Sequence, residues 1–168
     1  MRTSDLLADA FGRIGDEVHR VVEGLTPEAL AFRPDGRANS IAWLIWHLTR
    51  VQDDHVAAVA GHEQVWTSSG WATRFGLPLD EADIGYGHDT EQVAAVTADG
   101  ATLVGYYESA SAMTSRFVLA LTDTDLDRVV DERWDPPVTL GVRLISVIAD
   151  DLQHVGQAAY LRGIIERR

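Results

Sequence analysis

Residues 40–60 read SIAWLIWHLTRVQDDHVAAVA, a long and mostly apolar stretch. Ser40 stands in front of it as a candidate N-cap, and the pattern breaks after Gly61. We therefore expect a long helix from Ile41 to about Ala60. This helix carries His47 within its most apolar part, Trp43-Leu44-Ile45-Trp46-His47-Leu48.

Outward from this stretch, helical periodicity predicts three further long helices. The first lies within residues 6–22, the third runs from about 99 to 121, and the fourth from about 139 to 166. The bend Asp135-Pro136-Pro137 precludes helix just before the fourth. Because no strong strand pattern interrupts these segments, we expect an all-α fold, a four-helix bundle forming one domain over residues 1–168.

A connection of almost forty residues, 61–98, separates the second and third long helices. It holds Trp66, Trp71, Phe75 and the turn Gly85-Tyr86-Gly87, and it is too apolar for a free linker. We expect it to pack on the bundle and to form a helical turn or two near residues 90–96.

Composition excludes several classes of function. The formal net charge of −12 disfavours nucleic acid as a partner, because a phosphate backbone would be repelled. The chain has no Cys, so disulfides, thiolate metal sites and cysteine nucleophiles are excluded. The N-terminal residues reach an acid within five positions and lack an uninterrupted apolar core, which predicts neither signal peptide nor membrane span. A cytoplasmic location is the expectation.

Candidate metal ligands lie in the last long helix. Asp150 and His154 are four residues apart, so their side chains leave the helix one turn apart on nearly the same face. Such a pair can grip one ion, or it can be a purely structural pair. Spacing leaves Asp151 as an alternative to Asp150, because it is three residues from His154. It also sits more centrally on the apolar stripe of Leu144, Val147, Val155 and Ala158.

His47 is the third candidate, because an imidazole in an apolar stretch needs a hydrogen bond or a metal to offset its burial. The alternative is a core histidine bonded to a carbonyl or carboxylate. His55 is about 12 Å further along the same helix and is too far away to share an ion. We expect His55 in the core or at an interface, and His19 and His62 at the surface.

Two stretches together resemble the metal-binding signatures of the DinB-like superfamily: residues 40–48, SIAWLIWHL, and residues 150–157, DDLQHVGQ. The resemblance implies His47, Asp150 and His154 as ligands of one divalent metal, with Gly156-Gln157 setting the register in favour of Asp150. It also implies an up-down-down-up bundle whose long crossover joins the second and third helices. Relatives of this kind are commonly homodimers, so a homodimer is expected.

With a carboxylate as its second candidate ligand, the chain resembles one branch of this superfamily, the mycothiol-dependent isomerases and thiol S-transferases, whose ligands are His, Glu and His. Asp150 stands here where that branch has Glu. The resemblance implies a metal-dependent S-transferase or isomerase acting on a small molecule with a mycothiol-type thiol. Zinc is the expected metal, with nickel or manganese as alternatives. A noncatalytic small-molecule or stress-response binding protein and a metal-free structural dimer are the competing hypotheses.

Several side chains are candidates for a substrate pocket over the metal: Trp46, Trp71, Phe75, Tyr86 and His88. For the aromatic residues, simple core packing is the expected role, because the burial of large apolar side chains alone explains their presence. His88 is an acid or base candidate, although a solvated loop histidine is the expected state. Arg50, Arg74 and Arg162 are candidates for meeting a carboxylated substrate.

Overall fold

Two of the long helices begin at the side-chain caps that the sequence predicts, Ser40 and Thr139. In the computed structural model, which describes residues 2–168, the Ser40 hydroxyl accepts a hydrogen bond from the Trp43 N–H at 3.1 Å. The Thr139 hydroxyl accepts from the Val142 N–H at 3.4 Å. These caps satisfy amides that the first helical turn leaves without partners. The long helices are α1 (Thr3–Val22), α3 (Ile41–Ala60), α7 (Gly100–Ala120) and α8 (Leu140–Ile165).

These four helices form the bundle, in which α1 and α3 each pack against both α7 and α8. Arg162 near the end of α8 donates to the carbonyl of Val21 near the end of α1, so these two helices are parallel. Gly100 at the start of α7 lies against Val22, so α7 runs opposite to α1. Arg128, shortly before α8, donates to the Val59 carbonyl at the end of α3, so α3 and α8 form a second antiparallel pair. The order is up-down-down-up, as expected.

Short helices fill the connections between the long ones. They are α2 (Pro27–Leu30), α4 (Val65–Ser68), α5 (Trp71–Phe75), α6 (Thr90–Ala95) and a 3₁₀ helix (Asp123–Asp127). The crossover between α3 and α7 contributes buried side chains, including Trp66 and Val93, to the same hydrophobic core as the bundle. It is therefore a packed layer on α3 and α7, as its apolar composition predicts.

A small β-hairpin precedes α8, which the sequence pattern did not predict. Its strands are β1 (Val129–Asp131) and β2 (Val138–Thr139), and they pair antiparallel with Val129 opposite Thr139. Strands of two or three residues are too short to show an alternating pattern. The hairpin leaves the fold class all-α and forms one wall of a cleft beside α3 and α8.

Within the described residues, no helix combines the length and the apolar character needed to cross a membrane.

Candidate metal centre

Two facing helices bring His47, Asp150 and His154 together. The imidazole rings of His47 and His154 have centroids 4.7 Å apart. The Asp150 Oδ2 lies 3.7 Å from the His154 Nε2 across one turn of α8. One ligand atom from each residue lies within 4.8 Å of the other two. For metal–ligand bonds of about 2 Å, tetrahedral ligand atoms stand about 3.3 Å apart, so modest side-chain rotations would close the site on an ion.

The backbone of the crossover fixes the His47 ring. The His47 Nδ1 is hydrogen bonded to the Ile84 carbonyl, which makes Nδ1 the donor and leaves Nε2 with its lone pair free. The indole of Trp43 stacks on the ring, with centroids 4.5 Å apart. Burial lowers the pKa of His47 from its ordinary value to about 4, outweighing the Ile84 bond. The ring is therefore neutral at pH 7, the state that a metal ligand requires.

Gly85 allows this close approach of backbone and ring. Its φ of +97° lies in a region that other L-residues rarely adopt, and a Cβ there would stand 2.5 Å from the His47 Nδ1. The same Cβ would lie 3.1 Å from Trp46 and 3.2 Å from Trp43. A glycine is therefore needed at the point where the loop touches the ligand.

Asp151 does not join the cluster. Its side chain is fully buried in the core, as its central place on the apolar stripe of α8 predicts. Desolvation raises the pKa of this carboxyl well above its ordinary value, and the neighbouring charge of Asp150 adds to the effect. Asp150, which keeps a quarter of its side chain exposed, is the carboxylate that faces the two histidines.

Two atoms of the cluster point to a missing partner. The Asp150 Oδ2 and the His154 Nδ1 are buried and have no hydrogen-bond partner among the described residues. Buried polar atoms normally have partners, so an unpaired carboxylate oxygen between two imidazoles matches a metal-ligand role. The donor set of two imidazoles and one carboxylate is one that zinc accepts, and the shorter Asp side chain reaches the site.

Arg50 holds the loop that orients His47. Its side chain is fully buried and donates to the Asp83 carbonyl at 3.1 Å and to the Gln64 side chain at 2.6 Å. The Asp53 carboxylate lies 4.0 Å from the guanidinium and receives a bond from the Tyr106 hydroxyl at 3.0 Å. The expectation that Arg50 meets a substrate is wrong, because its guanidinium has no exposed surface.

His88 is buried in the crossover beside the cluster. Its side chain is 2% exposed, so the expectation of a solvated loop histidine is wrong. The Trp43 indole N–H donates to the His88 Nδ1 at 3.0 Å, and the His88 Nε2 is bonded to Asp83 at 2.9 Å. Because both ring nitrogens have partners, His88 serves here to brace the loop. Its ring stacks on that of Trp46, with centroids 5.9 Å apart.

Tyr86 is the crossover side chain that stands over the cluster. Its ring meets that of His47 edge to face at 5.6 Å, and the residue is 64% exposed. Partial burial raises the pKa of its phenol, and the charge of Asp150 raises it further. Tyr86 is therefore protonated at pH 7 and placed between the cluster and solvent.

The family model for mycothiol-S-transferase matches residues 6–167, nearly the whole chain. The chain belongs to the mycothiol-S-transferase family. This is a DinB-like family, as the two sequence signatures indicate. A comparison with curated proteins gives no match.

Among solved structures, this chain is similar to the crystal structure of a conserved protein from Enterococcus faecalis. The two share 28% sequence identity with a TM-score of 0.93, covering 100% of this chain and 99% of the other. The DinB-like bundle, including its long crossover, is therefore shared over the full length of both chains.

Trp71 and Phe75 are not brought to the cluster. Their rings pack on Tyr106, with centroid separations of 5.9 Å and 5.8 Å, and Phe75 also packs on Trp66 at 5.2 Å. Both residues are buried, so the structure places them in an aromatic core beneath the crossover. Trp46, Tyr86 and His88 are the predicted pocket residues that lie near His47.

The remaining predicted residues lie elsewhere. Arg74 stacks over Trp71, and Arg162 donates to carbonyls at the end of α1, including that of Val21 at 3.0 Å. His19 and His62 are exposed, as expected. The Ile84 carbonyl and Gly85 were missed, since a backbone group shows no residue-type signal and only the Gly85-Tyr86-Gly87 turn marked this loop.

Proposed function

We propose that this protein is a metal-dependent S-transferase that uses a mycothiol-type thiol and binds one divalent cation through His47, Asp150 and His154. The observation that carries the proposal is the cluster of three potential ligands with two buried polar atoms left unpaired. Membership of the mycothiol-S-transferase family supports the thiol as cosubstrate. Zinc is the first choice of metal, and nickel or manganese also suit two imidazoles and a carboxylate.

Each ligand has a defined role in holding the ion. His47 presents Nε2 because Ile84 occupies Nδ1, and it is neutral because burial lowers its pKa to about 4. Asp150 supplies the negative charge, and His154 follows it one helical turn later. Three protein ligands leave a coordination position for an exogenous group, as in catalytic zinc sites. A cation bound there would lower the pKa of a thiol, so that sulfur reacts as a thiolate.

The surrounding residues limit access of water to this position. Trp43 covers one face of the His47 ring, and Tyr86 meets the ring at its edge. The crossover loop thus forms one wall of the site and orients its ligand, while the side of Tyr86 stays open to solvent for an incoming substrate. The protein needs no cysteine of its own, because the nucleophilic sulfur belongs to the cosubstrate.

Elemental analysis tests the metal part of the proposal. Wild-type protein purified without chelators is expected to hold about one zinc per chain. The variants His47→Ala, Asp150→Ala and His154→Ala are expected to lose it, whereas Asp151→Ala keeps it. An apo protein that stays empty after reconstitution with zinc, nickel or manganese would overturn the proposal and favour a metal-free structural dimer.

An assay of thiol transfer tests the catalytic part of the proposal. Transfer of mycothiol to 1-chloro-2,4-dinitrobenzene is expected for the metal-loaded wild type and is expected to fall at least a hundredfold in His154→Ala, as for loss of a key electrostatic catalytic group. Metal binding and ligand retention without turnover would indicate the noncatalytic binding protein instead. Each measurement is made on variants whose circular dichroism shows the intact helical fold.

A further inference from the structure

A cavity separate from the candidate metal centre lies between α3, α8 and the β-hairpin. Its volume is about 650 Å³, and its polar lining includes Asp54, His55, Arg128, Asp131 and Arg143. None of these residues belongs to the metal cluster. We refer to this cavity as the hairpin cleft.

The hairpin cleft lies along the same faces of α3 and α8 as the metal cluster, displaced toward the end of α3 and the start of α8. Asp54 follows His47 by seven residues on α3, and Arg143 precedes Asp150 by seven on α8. Seven residues are two helical turns, so each pair shares a helix face at a distance of about 10.5 Å. Burial raises the pKa of the Tyr86 phenol. The charges of both sites also act on it, since Asp150 and Asp54 raise this pKa and Arg143 lowers it.

His55 is oriented toward this cleft as a hydrogen-bonding group. Its Nδ1 is bonded to the Asp54 carboxylate at 2.9 Å, and this bond lowers the pKa of Asp54. The His55 Nε2 has no hydrogen-bond partner among residues 2–168, and these residues do not bury it. Because His55 lines the cleft, this nitrogen is accessible from it. A carboxylate that fixes the first ring nitrogen leaves the second with a defined direction and tautomer.

The charges of the cleft select the kind of ligand. Arg143 and Arg133 both bind the Asp131 carboxylate, at 3.1 Å and 2.9 Å, and Arg128 donates to the Val59 carbonyl at 2.9 Å. The three lining arginines are matched in number by three acids, Asp54, Asp131 and Glu132, so the cleft has no net positive charge to favour an anionic ligand. An apolar ligand would strip water from these charges without replacing their hydrogen bonds. A neutral ligand rich in hydroxyls avoids this cost, since each hydroxyl donates and accepts.

We propose that the hairpin cleft binds the neutral, hydroxyl-rich part of the thiol cosubstrate, with the His55 Nε2 as one of its hydrogen-bond partners. This inference rests on the proposed function for the identity of the cosubstrate. It assigns substrate recognition to residues two helical turns away from the position where the sulfur reacts. A sugar-linked thiol such as mycothiol has both parts.

Calorimetric titration with S-methyl mycothiol tests the cleft separately from the reactive sulfur, because the methylated sulfur gives no thiolate. His55→Phe is expected to weaken binding about tenfold, as for the loss of one buried hydrogen bond. His55→Gln, whose amide places a polar atom near the position of Nε2, is expected to restore binding to within about threefold of wild type. The matched control His19→Phe, at an exposed histidine of α1, is expected to bind as wild type does.

The variant His47→Ala separates this inference from the proposed function. It is expected to lose metal and thiol transfer yet to bind S-methyl mycothiol with the same dependence on His55. If His47→Ala abolishes binding while His55→Phe leaves it unchanged, the ligand is held at the metal position alone and the cleft assignment is overturned. No binding to wild type, or equal loss in His55→Phe and His55→Gln, also overturns it.

Discussion

At the scale of single residues, the candidate metal centre depends on a backbone contact. The Ile84 carbonyl binds the His47 Nδ1, and the next residue must lack a side chain for the loop to come this close. His47 is thus oriented by the crossover, which holds none of the three candidate ligands. Changes in this loop should therefore alter metal binding without touching a ligand.

Gly85→Ala tests this dependence. Its Cβ would stand 2.5 Å from the His47 Nδ1 at a φ of +97°, so the loop must move away from the ring. We expect a loss of about 1–3 kcal/mol of unfolding free energy from strain and at least a tenfold weaker zinc affinity, measured by chelator competition. Gly87→Ala is the control, because it also has a positive φ but meets nothing within 4 Å. It should lose stability only, and equal zinc losses in both variants would contradict the prediction.

Asp151 gives a pH-dependent prediction at the same scale. Burial raises its folded-state pKa above that of the unfolded chain, so the folded protein binds this proton more tightly. Its contribution to stability is complete below the unfolded-state pKa and falls as the pH rises toward the folded-state value. The variant Asp151→Asn does not lose stability in this way as the pH rises, because its amide does not titrate. Its stability relative to wild type should rise with pH above about 4, by at most about 1.4 kcal/mol per unit.

Urea unfolding at several pH values between 4 and 8 measures this difference. Asp127→Asn, at an exposed acidic residue, is the matched control and should track the wild type across the range. A pH-independent difference between Asp151→Asn and wild type would mean that the buried carboxyl titrates normally.

At the scale of elements, Arg50 couples α3 to the crossover. It donates to the Asp83 carbonyl and to Gln64, and it lies beside the Asp53 carboxylate. Burial raises the pKa of Asp53 in spite of its bonds from backbone amides and Tyr106. Removing Arg50 would therefore release the loop and leave a buried carboxylate without its cation.

Arg50→Met should cost about 3–5 kcal/mol of unfolding free energy, the usual result of breaking a buried ion pair. Adding Asp53→Asn should recover part of that loss. Hydrogen exchange should also accelerate in residues 81–88, where the loop loses its anchor. Arg74→Met is the control, because Arg74 is exposed and its guanidinium stacks on the Trp71 ring. This substitution should cost less than about 1 kcal/mol of unfolding free energy. Unchanged exchange in the loop would contradict this role of Arg50.

The element scale also shows why some predictions succeeded. The caps Ser40 and Thr139 and the stop at Gly61 are local signals, and α3, α7 and α8 begin and end within one residue of the predicted positions. Helix α1 begins three residues earlier than predicted, at Thr3. The β-hairpin was not predicted because its two strands are held by pairing across a turn, which leaves no period in the sequence.

At the scale of the whole molecule, one face of α8 is left open. Val142, Ile145 and Tyr160 are all more than half exposed, and their separations of three and fifteen residues place them on the same side of the helix. A homodimer, which the resemblance implies, remains a prediction, and this stripe is the surface that we expect to form a two-fold interface.

Ile145→Glu should weaken the dimer at least tenfold, because it places a charge at an apolar contact. Light scattering after size exclusion, over a range of protein concentrations, measures the change. Leu119→Glu is the control, at a similarly exposed residue on α7. A monomeric wild type, or equal dissociation in both variants, would rule out this interface.

The sequence by itself determined the helices, their caps and the ligand candidates, because these depend on local spacing and residue type. Periodicity also placed Asp151 at the centre of the apolar stripe of α8, where it is buried. Family resemblance chose Asp150 over Asp151, and it correctly implied the up-down-down-up bundle with its long crossover.

Only the tertiary structure decided which polar groups meet. Contacts between residues far apart in sequence brought the Ile84 carbonyl to His47, buried His88 against Asp83, and placed Trp71 away from the metal cluster. The hairpin cleft also depends on residues far apart in sequence, since its walls come from α3, α8 and the hairpin. The physical reason is that such contacts depend on how helices and loops pack in three dimensions, and side-chain spacing along one helix carries no record of that packing.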